Sequence, residues 1–172
     1  PTLDTPDYTS MIDERAFNRV VAALEEARDA GAQLIQLVPG TPWDAATRKI
    51  APHIVLNAPE HCSLRTREIF GPVLALLPWS DEADLVAQCN DNMFGLASGI
   101  WTRDFKNAWR IGKALQTGTV WVNTYKVFSI STPFSGVKMS GYGQEKGRLG
   151  ILEYTSQKSF YWGLNESPMP WA

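Results

Sequence analysis

Reactive sulfur and imidazole are scarce in this sequence. Cysteine occurs twice, at Cys62 and Cys89, and histidine twice, at His53 and His61, among 172 residues. Two cysteines supply no disulfide framework and point to a reducing compartment, with the cytoplasm as the expected location. His53 and His61 lack metal-ligand spacing, and His61 beside Cys62 is a poor ligand pair, so no metal site is expected. An excess of charge of one sign is also lacking. The 16 basic residues stand against 18 acidic ones, a formal net charge of -2, which leaves no basic field for a nucleic acid or an anionic membrane. No apolar run reaches the ~20 residues of a membrane span, and no signal-peptide pattern opens the chain. The chain opens at Pro1 instead of a methionine, as after initiator removal or as in a segment that begins partway through a longer gene product.

What is present suits a folded domain with a core: 44% hydrophobic and 20% charged residues, with no internal repeat and no low-complexity linker. Ser10 to Asp13 resembles a helix start, and Phe17, Val20, Val21, Leu24 and Ala27 recur at helical spacing until Gly31. "QLIQLV" (33–38) and "HIVLN" (53–57) read as short strands on either side of the breaker "PGTPWD". "VLALLP" (73–78) is apolar at every position but its last, as in a strand buried inside a parallel sheet with helices above and below. Ser80, Asp81 and Glu82 then open a helix bearing Ala83, Leu85, Val86 and Cys89 on an apolar face. "LASGIW" (96–101) is the next strand, Thr102 and Asp104 open a helix that runs through Ala114, and Gly118 leads into "TVWVN" (119–123). Alternating strands and helices predict an α/β fold, an open and mostly parallel sheet flanked by helices.

Residues 124–146 break the pattern. They show no clean periodicity, yet carry Tyr125, Phe128 and Phe134 together with Gly136, Gly141 and Gly143. So long an aromatic-rich loop in a compact domain is expected to line a site. Its glycines do not form a phosphate loop. In "GVKMSGYG" a Walker lysine would fall at Tyr142, and in "GYGQEK" the third glycine of a dinucleotide fingerprint would fall at Lys146.

The stretches "EIFGPV", "NDNMFGLASGIWTRD", "TGTVWVNTY", "TPFSGVKMSGYGQEKG" and "EYTSQKS" stand here in that order. In order and approximate spacing they resemble the C-terminal portion of the aldehyde dehydrogenase superfamily, over nearly the whole chain. The opening third, "DYTSMIDERAFNRV" through "RKIAPHIVL", is similar to the coniferyl aldehyde dehydrogenase branch, and the part after Trp79 to the broader NAD(P)-dependent family.

The resemblance implies roles for particular residues. Glu68 takes the position of the acid that accepts the hydroxyls of the ribose next to nicotinamide, and Phe70 that of the aromatic packed near the ring. An ionised carboxylate is acceptor-only and can hold a vicinal diol in a bidentate grip. Gly71 and Pro72 are expected to turn the chain sharply into the following strand. Phe128 and Phe134 fall at positions lining the aldehyde tunnel, with Asn123 where the last strand reaches it. Glu145 matches a glutamate that supports the active-site water and proton network, although Gln144 stands where the family usually has arginine. Lys138 matches a recurring lysine, expected to tether a loop.

The family's chemistry is covalent, with a cysteine thiolate attacking the aldehyde and a thioester formed on hydride transfer. By resemblance that cysteine, its glutamate base and the Rossmann-type dinucleotide domain all lie upstream of the 67 residues that precede Glu68. Cys62, in "EHCSLRTRE", lacks the glycine-flanked setting and oxyanion-hole asparagine of a catalytic cysteine, and Cys89 is expected to be inert packing.

The expected organisation is therefore a partial catalytic domain at 1–154 followed by a terminal oligomerisation strand and tail at 155–172. In it "QKSFYWG" (157–163) pairs with another protomer of a homo-oligomer, and "NESPMPWA" runs along a surface or that interface. The expected function is that of the C-terminal segment of a cytoplasmic NAD- or NADP-dependent aldehyde dehydrogenase acting on a small-molecule aldehyde. The segment alone is expected to be inactive. The alternative is a naturally short, non-catalytic homologue that serves as an assembly or regulatory subunit.

Overall fold

The computed structural model describes residues 8–40 and 42–164 and divides into two compact units, Pro1–Ala87 and Gln88–Ala172. The tail "NESPMPWA" lies outside the described residues. No helix among the described residues is long and apolar enough to cross a membrane.

The first unit opens with α1 (Glu14–Asp29), whose N-cap Asp13 accepts the Ala16 N–H at 2.7 Å. That bond satisfies one of the donors every helix start leaves open, and Glu14 and Arg28 complement the dipole at the two ends. After α1 come β1 (Gln33–Gln36), the two-residue strands β2 (Trp43–Asp44) and β3 (Lys49–Ile50), then β4 (His53–Leu56), α2 (Ser63–Thr66) and β5 (Val73–Leu76). The apolar spacing read from the sequence becomes the buried stripe of α1. Phe17, Val20, Leu24 and Ala27 pack with Ile50, Val55, Ala58 and Cys62 in one core, and each large side chain taken from water there stabilises the fold by about 1.5–3 kcal/mol.

A three-stranded sheet runs in the order β1-β4-β5, with β4 parallel to β5 and antiparallel to β1. Its edge strand departs from expectation. Instead of lying between two layers of helix, β5 leaves Leu74 and Leu76 exposed and turns only Val73 and Ala75 inward.

Helix α3 (Glu82–Asn90) follows in the sequence. Asp81 accepts the Asp84 N–H at 2.9 Å while the Asp84 carboxylate accepts the Ser80 N–H at 2.8 Å, a reciprocal cap at its start. The apolar face expected on this helix is not a core face. None of its residues is buried, and Cys89 is exposed.

The second unit comprises β6 (Phe94–Gly95), β7 (Ala97–Ile100), α4 (Phe105–Ala114), β8 (Thr119–Val122), β9 (Phe134–Ser135), β10 (Val137–Lys138), β11 (Gln144–Glu145) and α5 (Gly147–Leu152). β7 and β8 pair in parallel, and α4 connects them. Its N-cap Asp104 accepts from the Lys106 and Asn107 N–H groups at 2.8 and 3.2 Å. The fold is mixed α/β, built from small sheets, with no closed barrel among the described residues. Residues 157–163 form no strand and are fully exposed, and the Phe160 and Trp162 rings meet edge-on at 5.9 Å.

Candidate functional site

In the first unit the segment between α2 and β5 is braced from α1. The Arg19 side chain donates to the Ile69 carbonyl at 3.2 Å across fifty positions of sequence. Gly71 lies so close to α1 that a Cβ there would stand 2.5 and 2.8 Å from the two Val20 methyls. The reason for glycine is therefore close approach and not the turn itself. The left-handed residue is its neighbour Phe70, at φ 53°, a conformation that costs a bulky side chain of order 1 kcal/mol and persists only where surrounding contacts impose it.

The consequence is that both candidate nucleotide contacts point outward. Glu68 is exposed, and no hydrogen bond or ion pair engages its carboxylate among the described residues. Phe70 is 74% exposed, although an aromatic of its size is usually at least half covered. An acceptor-only group and a bare ring therefore stand two residues apart on a braced support. They do not fit the alternative reading of a turn-capping acid beside a core phenylalanine.

In the second unit the aperiodic segment is organised by aromatic rings. Trp121, at the end of β8, meets Tyr125 edge-on at 5.0 Å and Phe128 at 5.4 Å, and Phe128 meets Phe134 at 5.2 Å. Trp101 extends the series at 6.4 Å from Tyr125. The Trp121 indole N–H donates to the Val127 carbonyl at 2.7 Å, which fixes the chain just before Phe128. Edge-to-face pairs of this kind contribute about 0.5–1.5 kcal/mol each beyond burial, so the row is a structured wall. Over it, the Lys146 ammonium sits 3.8 Å from the Phe128 ring centroid and 6.0 Å from that of Phe134.

Backbone pairing draws Glu145 to the same place. β9 and β11 run antiparallel with Glu145 opposite Phe134 and Gln144 opposite Ser135. A cavity of about 980 Å³ opens beside them, lined by Glu145, Lys146, Arg148 and Tyr154 among others. Gly118 admits this arrangement, because a Cβ there would collide with the Ser135 carbonyl oxygen. Glu145 is exposed and has no ion-pair partner among the described residues, and the Gln144 side-chain oxygen is buried without a hydrogen-bond partner there. The Lys138 ammonium donates to the Asn90 and Asn92 carbonyls at 2.8 and 2.9 Å, a tether between β10 and the end of α3.

Asn123 is placed differently from the rings. At φ 54°, its amide is spent on the backbone of Thr102: Oδ1 accepts the Thr102 N–H and Nδ2 donates to the Thr102 carbonyl, both at 2.9 Å. Its side chain fastens the end of β8 to the entry of α4. Cys62 is 1% exposed within the apolar core, out of reach of any substrate. Cys89 is exposed, and the crowding around its sulfur pushes the thiol's pKa up, away from the thiolate that nucleophilic chemistry needs. Sequence reasoning missed Arg19, Trp121 and Lys146. Only Lys146 had left a trace, as the residue that spoils a dinucleotide fingerprint.

The aldehyde dehydrogenase family profile matches residues 1–160. Aldehyde dehydrogenase 1A1 of Oryctolagus cuniculus is 36% identical over 148 residues, 86% of this chain and 29% of that protein. Betaine aldehyde dehydrogenase of Cereibacter sphaeroides is 33% identical over 166 residues, 94% of this chain and 33% of that protein. Among solved structures, the P. syringae indole-3-acetaldehyde dehydrogenase in complex with NAD+ superimposes with a TM-score of 0.79 at 30% identity, over 88% of this chain and 30% of that one. The chain belongs to the aldehyde dehydrogenase family. It spans about a third of the length of the relatives it matches.

Proposed function

We propose that this chain is the C-terminal segment of a cytoplasmic, NAD- or NADP-dependent aldehyde dehydrogenase that oxidises an aldehyde to a carboxylic acid through a cysteine thioester. The cysteine nucleophile and the dinucleotide domain come from outside these residues. On this reading the segment alone does not turn over aldehyde. The observation that carries the proposal is the outward-facing, unpartnered Glu68 carboxylate beside the exposed Phe70 ring, on a turn braced by Arg19 and Val20. A nicotinamide cofactor supplies the hydride acceptor.

This chain's residues then hold and orient. The two oxygens of Glu68 accept the ribose hydroxyls, with charged hydrogen bonds contributing roughly 1.5–3 kcal/mol each. Phe70 lies beside the nicotinamide ring, and the rigid turn keeps both within the tolerance that a reacting geometry needs. Phe128 and Phe134 form an apolar wall for the aldehyde. Asn123 acts by fixing the strand end that leads to that wall. Glu145, opposite Phe134, accepts hydrogen bonds in the water and proton network of the site. Residues 1–154 make up the catalytic-domain portion, and the exposed 157–163 pairs with another protomer of a homo-oligomer.

The test is Glu68→Gln in the protein that carries this chain. It keeps the shape and removes the charged acceptor, so the hydride-transfer rate should fall by about tenfold or more while the unfolding midpoint stays within experimental error. An unchanged rate rejects the assignment.

A further inference from the structure

The cation on the aromatic wall has a consequence for substrate choice. Lys146 lies against the π face of Phe128 and stands 6.0 Å from the Phe134 ring centre, and such electron-rich faces are where a cationic ligand would otherwise settle. Carboxylates stand near it without pairing to it: Glu145 is its chain neighbour, and the Glu153 carboxylate accepts the Gln144 N–H at 3.2 Å. No ion pair engages Lys146 among the described residues, and the adjoining cavity carries Lys146 and Arg148 against the single carboxylate of Glu145. The lysine is half-buried where β11 passes into α5.

We propose that Lys146 is a specificity-determining residue that makes the site select aldehydes without a positive charge and reject those bearing a quaternary ammonium group. The proposal rests on the reading of Phe128 and Phe134 as the aldehyde wall. Two effects act together. The Phe128 face that would stabilise a trimethylammonium head is already occupied, and a second cation placed beside the first meets Coulomb repulsion that the aromatic surroundings screen less than bulk water does.

The experiment compares betaine aldehyde with its neutral isostere, in which carbon replaces the quaternary nitrogen, as substrates of the intact enzyme. Wild type should favour the neutral aldehyde in kcat/KM. Lys146→Met keeps the length of the side chain and removes the charge. It should raise kcat/KM for betaine aldehyde relative to the neutral isostere by about tenfold, and so narrow the preference, whereas Lys146→Arg should retain it. An unchanged preference in Lys146→Met, with Phe128→Ala still raising KM for the neutral aldehyde, overturns the role of Lys146 and leaves the wall standing. If neither Phe128→Ala nor Phe134→Ala alters KM for either aldehyde, the wall itself is wrong and the proposal falls with it.

Discussion

Replacing Gly71 by alanine would force a new methyl and the Val20 side chain into one volume. The added carbon would stand 2.5 Å from one Val20 methyl, 2.8 Å from the other and 3.3 Å from its Cβ, against the roughly 3.5–4.0 Å at which carbon atoms rest. Val20 cannot yield. It has no exposed surface, and a β-branched residue in a helix has one strongly preferred rotamer. The turn must move instead, and overpacking of this kind costs about 1–3 kcal/mol. With a urea slope of about 1–3 kcal/mol/M, a loss near 2 kcal/mol lowers the unfolding midpoint by roughly 1 M without changing the slope. Val20→Ala should be destabilising alone, through the cavity it leaves, yet should relieve the clash. The double variant is expected to be more stable than the sum of the two losses by at least about 1 kcal/mol. Because the same movement displaces Glu68 and Phe70, the cofactor KM should rise in Gly71→Ala and recover in the double variant. A midpoint within about 0.3 M of wild type, together with strict additivity, would refute the claim that this close approach sets the turn.

Phe70→Gly separates function from stability at the same turn: glycine adopts a φ of 53° without strain, so stability should stay within about 1 kcal/mol while the cofactor KM rises. A large loss of stability would show that the ring is part of the packing. In the native protein a thiol reagent should label the exposed Cys89 and spare the buried Cys62 until unfolding. Because its pKa is pushed up, labelling of Cys89 should keep accelerating at pH values where an unhindered thiol has levelled off, and a rate that levels with a model thiol would contradict this. The Glu26 carboxyl is held below the usual range chiefly by the Ser63 hydroxyl and then by the Ser63 N–H, 3.1 Å from its other oxygen. A depressed native pKa stabilises the fold above the unfolded value of about 4.3 and is lost as pH falls through the native one. Glu26→Gln should therefore flatten the acid side of the stability profile, and an unaltered slope would remove Glu26 as a cause.

Legibility in the sequence followed the range of the interactions involved. α1 and α4 could be read because a cap and an apolar stripe are local: Asp13 and Asp104 each satisfy N–H groups within three residues. The strands β1, β4, β5, β7 and β8 also fall where the apolar runs placed them. What covers a strand is not local, and the apolar run of β5 carried no record that Leu74 and Leu76 face outward. Cys89 went astray for the same reason. At the turn, the sequence drew attention to Gly71 as the flexible residue, whereas the structure uses it for proximity and places the left-handed backbone at Phe70. The two-residue strands β9 and β11 are too short for any periodicity, and their register is set by contacts eleven positions apart. The candidate residues themselves came from ordered motifs. Their supports, Arg19, Trp121 and Lys146, came only from three-dimensional proximity.

The pairing of β9 with β11 joins the two residues proposed to line the aldehyde site and to serve its proton network. Phe134 and Glu145 lie opposite each other across the ladder, so any change that slides one strand past the other would reshape the apolar surface and misdirect the acid in the same stroke. The intervening residues are held as well, by β10 and by the Lys138 tether, so the spacing between the ring and the carboxylate is fixed along its whole length. If the proposed aldehyde wall is correct, substrate choice in the parent protein is best altered by exchanging side chains along it, leaving the strand register alone.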